Sequence, residues 1–122
     1  MCRVGRIDLI ESLKRILVVA QEKRSPNLVR FTFGSDTLSL EANTPDMGSG
    51  SDSIPVIYDG DPLLIGFNGK LLLDGLAALD CEEIQWDLQS EEQSSVVRPL
   101  GQSAYNYVLM PVKLRSIVED AA

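Results

Sequence analysis

The sequence predicts an α+β domain made of a doubled β-α-β-β-β unit, with two helices packed against antiparallel sheets. Three observations carry this. Two stretches show helical period, the runs between them show strand period, and the order of a helix followed by three strands occurs twice. At 122 residues the chain is long enough for one domain with a substantial core.

The elements read in order as follows. Val4 to Arg6 is a short strand. Asp8 and Glu11 have the spacing of a capping box, opening a helix over 8–20. Leu9, Leu13, Ile16 and Ala20 fall on one face of it; Glu11, Lys14 and Arg15 fall on the other, where Glu11 can pair with either cation. Gln21 to Asn27 is polar, contains Pro26 and reads as a loop. Leu28 to Phe33 and Thr37 to Ala42 form a hairpin about the turn Gly34-Ser35-Asp36. Thr44 to Ser53, rich in Gly, Ser, Asp and Pro, reads as a surface loop, and Ile54 to Tyr58 as a further strand.

The pattern then restarts. Asp59-Gly60-Asp61 is a turn and Leu63 to Phe67 a strand. Asn68 caps a second helix that runs to Leu79. Leu72, Leu73, Leu76 and Leu79 are its buried face; Lys70 and Asp74 are its polar one. Glu83 to Leu88 and Ser94 to Arg98 are strands, Pro99-Leu100-Gly101 is a break, and Tyr105 to Val112 closes the domain.

Composition excludes several classes of function. Hydrophobic content of 44% and charged content of 24% describe a globular chain. There is no histidine, which removes the commonest general base, the Ser-His and Cys-His pairs and imidazole metal sites. Catalysis would rest on carboxylates or lysine, and the acidic residues show no paired arrangement at metal-ligand spacing. Asp59-Gly60-Asp61 lacks the flanking ligands of a calcium loop, and there is no Gly-rich phosphate loop. No catalytic residue, metal or cofactor is therefore expected. Cys2 and Cys81 are too few for a disulfide framework and are expected to be reduced thiols. No run reaches the ~18 apolar residues of a membrane span, and the N-terminus lacks a signal-peptide pattern. The cytoplasm is the expected location. A net charge of −7 argues against tight general binding to nucleic acid, while leaving room for a locally basic face.

The most telling stretch is Tyr107-Val108-Leu109-Met110-Pro111-Val112-Lys113-Leu114. An apolar strand that meets a proline and ends on a cation leaves Met and Val side chains near a surface. Adaptable Met at an exposed site suits a peptide-binding groove. A final core strand with a frayed end is the other reading.

Set on that topology, Ile65-Gly66-Phe67-Asn68 followed by Leu72-Leu73-Asp74-Gly75-Leu76 resembles the "FN…LLD-x-L" segment of bacterial DNA sliding clamps, the β subunit of DNA polymerase III. Val108 to Leu114 resembles that family's "VMPMRL" ending, Asp8 to Arg15 the first helix of its third domain, and Leu38 to Pro45 its "L-x-L-x-A-N-x-P" strand. The resemblance covers Val4 to Leu114, so residues 1–114 are read as a third, C-terminal clamp domain with the DNA-clamp fold and 115–122 as a tail. In place of the family's aromatic after the second-helix start stands Leu71.

The resemblance implies a non-catalytic processivity factor. Two three-domain chains would close head to tail around duplex DNA, helices inside and sheets outside. Ser94, Val108, Leu109, Met110, Pro111, Val112, Lys113 and Leu114 would form one wall of a groove for short linear motifs of DNA polymerase and clamp-loader subunits. Val18 and Val19 would lie where clamp subunits meet; a core helix end explains them equally. Lys14, Arg15, Lys23, Arg24 and Lys70 would face DNA through phosphate contacts without sequence specificity, against the alternative of solvated helix faces. Asp46 and Asp52 either meet a neighbouring subunit or belong to a solvated loop. One domain cannot encircle DNA. Either the chain is a fragment of a longer clamp, or it is a standalone interaction protein that binds clamp partners or a full-length clamp without forming a ring.

Overall fold

The computed structural model describes residues 1–20, 27–44, 48–102 and 105–112. The elements are β1 (Cys2–Gly5), α1 (Arg6–Leu17), β2 (Leu28–Phe33), β3 (Thr37–Thr44), β4 (Gly48–Pro55), β5 (Ile57–Tyr58), β6 (Leu63–Asn68), α2 (Gly69–Ala77), β7 (Glu83–Asp87), β8 (Ser95–Pro99) and β9 (Tyr107–Leu109). The doubled unit is present, with β5 as a short addition between the halves.

The halves exchange their first strands. One antiparallel sheet has the order β4-β3-β2-β6, the other β5-β1-β7-β8-β9. Thus β1 leaves its own half to pair with β7, and β6 leaves its own half to pair with β2. Between the sheets' inner faces sits the core. Phe31 and Phe33 come from β2 and Phe67 from β6, and Trp86 of β7 meets all three at ring separations of 5.4, 5.2 and 5.3 Å. The first two contacts are edge-on, the geometry that ring quadrupoles favour.

The helices lie side by side and antiparallel. Arg6, at the start of α1, donates to the carbonyl of Leu76 in the last turn of α2 and to that of Cys81 just beyond it. Leu13 and Leu17, near the end of α1, lie beside Gly69 at the start of α2. Leu9, Leu13 and Ile16 of α1, and Leu72 and Leu76 of α2, are buried as their spacing predicts. Asn68 caps α2 as expected, its side chain accepting from the backbone N–H of Lys70 and Leu71.

Four expectations need correction. Of the expected loop Thr44 to Ser53, Thr44 ends β3 and Gly48 to Ser53 belong to β4, which pairs with β3 along eight registered residues, from Thr37–Pro55 to Thr44–Gly48, while 45–47 lie outside the described residues. Its Ser, Gly and Asp residues carry little strand signal because β4 is an edge strand with one face to solvent. There is no capping box at Asp8: α1 begins at Arg6 after Gly5, which makes no side-chain cap, so Asp8 lies inside the first turn. There it still favours the positive end of the helix dipole. The helices end earlier than their apolar periods suggested, at Leu17 and Ala77. The closing strand is also shorter; β9 spans Tyr107–Leu109, and the chain then crosses to the other sheet, where the N–H of Val112 donates to Gly66 at 2.7 Å.

Two anchors fix β9. The indole N–H of Trp86 donates to the hydroxyl of Ser95 at 2.9 Å, and that hydroxyl donates in turn to the carbonyl of Leu109. The second anchor is Tyr107, whose hydroxyl donates to the carbonyl of Leu71 at 2.7 Å. Its ring lies flat over Gly75, where a Cβ would stand 2.6 Å from a ring carbon. Burial, with the charge of Asp74 as a smaller cause, pushes this phenol above its ordinary value, so it remains a donor.

Replacing Ser95 with Ala is expected to strand the buried Trp86 N–H and cost roughly 1–3 kcal/mol, read as a fall in Tm on thermal unfolding. Gly75→Ala is a sign test. Helix propensity alone predicts a gain of about 1 kcal/mol, whereas the clash with Tyr107 predicts a net loss together with faster amide exchange at Val108 and Leu109.

Candidate functional site

The residues singled out from sequence fall on three parts of the surface. The first is β9 and the chain after it. Strand alternation turns Tyr107 and Leu109 inward and Val108 and Met110 outward. Val108 is 58% exposed and Met110 66% exposed, while Leu109 is a core residue at 2%. Leu109 therefore belongs to the packing beneath this surface. Val108 pairs with Val96 of β8, so half-buried Val96 extends the apolar stripe across two strands. Ser94 is half-buried, and extending the Ser95–Leu109 register by one residue sets it beside Met110. Pro111 and Val112 are half-buried where the chain passes to β6. Lys113, Leu114 and the tail 115–122 lie outside the described residues.

The stripe combines exposed, deformable apolar side chains with a fixed backbone. Met110 has rotamer freedom, yet the strand it directly follows is tied to Trp86 through Ser95 and to α2 through Tyr107. Such a surface can bury a partner's Leu or Phe without ordering its own main chain. Exposed Leu71, at 49%, lies on α2 close to the Tyr107 anchor. Its nearness to β9 was not legible in sequence, because only the fold brings α2 against β9. Val96 was legible in part, since alternation along Ser95–Pro99 already separates its face from that of Val97.

The second part is the end of α1 beside the edge strand β4. Val18 is 64% exposed. Val19 turns inward and packs over Gly50 of β4, its Cγ2 only 3.0 Å from where a Cβ would sit. The two valines, adjacent in sequence, thus have different surroundings. The outer edge of β4 pairs with no described strand.

The third part is the exposed side of the helices. Lys14, Arg15 and Lys70 are all exposed there. Lys70 pairs with Asp74 at 2.8 Å, one helical turn away. Arg15 does not pair with Glu11; it reaches Asp52 on β4, with Nη2 at 2.6 Å and Nε at 3.2 Å from the same carboxylate oxygen. That hydrogen bond is the main reason the Asp52 carboxyl is held below the usual carboxylate range. Asp52 is therefore bound within its own chain. Lys23, Arg24 and Asp46 lie outside the described residues.

Among the described residues no group of three or more His, Cys, Asp or Glu side chains could hold a metal ion. Burial pushes the Cys2 thiol up to about 12, so it carries almost no thiolate at neutral pH. No described helix is long and apolar enough to cross a membrane.

Comparison with known proteins gives a consistent result. The family model described as DNA polymerase III beta subunit, C-terminal domain, matches residues 2–113. The beta sliding clamp of Synechococcus elongatus is 35% identical over 93% of this chain and 30% of its own length. That of Synechocystis is 40% identical over 89% of this chain and 28% of its own length. Among solved structures, the DNA polymerase III beta subunit of Thermotoga maritima superposes with a TM-score of 0.87 at 33% identity, covering 93% of this chain and 30% of that one. A sliding clamp from Bartonella birtlesii, solved bound to griselimycin, gives a TM-score of 0.87 at 31% identity, with the same coverage. The chain spans about 30% of the length of the relatives it matches. A family match across nearly the whole chain, the doubled unit with exchanged first strands and the FN-capped second helix agree: the chain belongs to the DNA polymerase III beta subunit family, as its C-terminal domain.

Proposed function

We propose that this chain acts as the C-terminal module of a sliding clamp, a non-catalytic processivity factor. It docks short linear motifs of DNA polymerase and clamp-loader subunits and contributes one domain to a ring around duplex DNA. In this reading residues 1–114 are the clamp domain and 115–122 a tail. The observation that carries it is the exposed pair Val108 and Met110, on and just after a strand anchored from behind by Ser95 and Tyr107. Ser94, Val96, Pro111 and Val112 continue that wall, with Lys113 and Leu114 following in sequence. Lys113 supplies a point charge for a partner's acidic or amide group.

Two further features support contact with other clamp domains. Val18 is exposed at the end of α1, and β4, eight residues long, has an outer edge that pairs with no described strand, to which a strand of another domain can add. DNA would pass along the helix faces, touching Lys14, Arg15, Lys70 and, by sequence, Lys23 and Arg24 through phosphate alone.

Peptide docking is tested by NMR titration of the labelled chain with a short peptide carrying Leu and Phe anchors. Binding to one wall is expected to be weak, with Kd roughly in the range 0.1–1 mM, near the low end of measurable affinity. Shifts should centre on Val108, Met110 and Val112, and Met110→Ser should abolish them. Saturating peptide that perturbs other residues, or none, would overturn the assignment. For the edge, sedimentation of the chain mixed with a full-length clamp separates assembly from a solitary domain. Co-sedimentation that Val18→Asp removes supports the Val18 interface, and co-sedimentation unaffected by it argues against.

A further inference from the structure

On the exposed sides of α1 and α2 the described charges balance: Lys14, Arg15 and Lys70 stand with Asp8, Glu11 and Asp74. Arg6 is half-buried and spends its donors on backbone carbonyls. Of the three exposed cations, two already hold carboxylates. Lys70 Nζ lies 2.8 Å from Asp74 Oδ1, and Arg15 lies against Asp52, which reaches it from β4 rather than from the helix. Lys14 alone has no carboxylate within ion-pair distance among the described residues. A surface meant to grip phosphate would present its cations uncommitted, because affinity for duplex DNA comes from cations that replace condensed counterions. Here each committed cation must first leave its carboxylate.

We propose that Asp74 and Asp52 are internal competitors of DNA phosphate, holding Lys70 and Arg15 so that the helix face stays close to duplex DNA without binding it firmly. This deepens the function proposed above and rests on its DNA-facing part. The pairs suit the role for different reasons. Lys70–Asp74 is an exposed pair one turn apart, weak enough to open and reform as phosphates pass. Arg15–Asp52 is the better-formed contact, with both Nε and Nη2 on one oxygen and Asp52 the less exposed partner. It therefore yields less readily, which leaves Lys70 as the cation that exchanges and Lys14 as the one uncommitted from the start among the described residues. A clamp domain of net charge −7 with such a face would let DNA slide past a nearly neutral wall.

The test is fluorescence anisotropy of the chain with a short labelled duplex of mixed sequence, across a salt series. Asp74→Asn should tighten binding about two- to threefold at low salt and steepen the dependence of log K on log salt by about 1, the signature of one cation gained. The gain should vanish in the Lys70→Ala background. Asp80→Asn is the control: it removes the same charge from an exposed carboxylate outside the pair, and should give a smaller gain that Lys70→Ala does not alter. Circular dichroism verifies that each variant is folded. A gain from Asp74→Asn equal to that from Asp80→Asn, or one that survives Lys70→Ala, overturns the competitor role and leaves the DNA-facing reading intact. Absence of binding by the wild type and by Asp74→Asn at the lowest salt overturns both.

Discussion

The indole of Trp86 stands where the two sheets meet, and both the core and the outward-facing strand depend on it. Its ring meets Phe31, Phe33 and Phe67 of the opposite sheet. An aromatic of this size brings a large apolar area into the core, but it also brings an N–H that must be satisfied once water is excluded. Ser95 satisfies it, and Ser95 in turn holds the carbonyl of Leu109. One requirement of buried polar chemistry is thereby converted into the position of β9. The candidate docking surface is the reverse side of that strand.

The exchange of first strands has a similar reach. Because β1 and β6 each complete the other half's sheet, neither half has a finished core alone. The two helices then share one interface, with Arg6 satisfying carbonyls at and just beyond the end of α2. This layout turns the remaining sides of both helices outward together, which is why Lys14, Arg15 and Lys70 share the exposed side of the helix layer. It also leaves β4 and β9 as outer strands of their sheets. The edge, the apolar stripe and the charged helix face thus follow from a single topological choice.

Much of the local structure around the candidate site was readable in sequence because local rules govern it. The Asn68 cap, the buried faces of both helices and the Lys70–Asp74 spacing are set within one or two turns of chain. Strand period separates Val108 and Met110 from Leu109, although the apolar run as a whole reads as one wall. What escaped was non-local. Gly48–Pro55 pairs as a strand because β3 offers a full ladder, a fact that its Gly and Ser residues do not announce. Asp52 could be assigned to a neighbour or to solvent until β4 carried it to Arg15, 37 residues away in sequence. Tyr107 becomes an anchor only once α2 brings Gly75 and the Leu71 carbonyl beneath it.

By itself, the sequence determined the α+β class, the doubled order of elements, the cap of α2 and the absence of histidine chemistry, since each rests on periodicity, local hydrogen bonding or residue inventory. Only the tertiary structure decided that β9 is anchored over α2, which valine at the end of α1 is available, and that Arg15 is paired with Asp52. Those outcomes depend on burial and on partners distant in the chain. A side chain's exposure and a charge's neutralisation are properties of the surroundings that folding assembles, and no local rule supplies them.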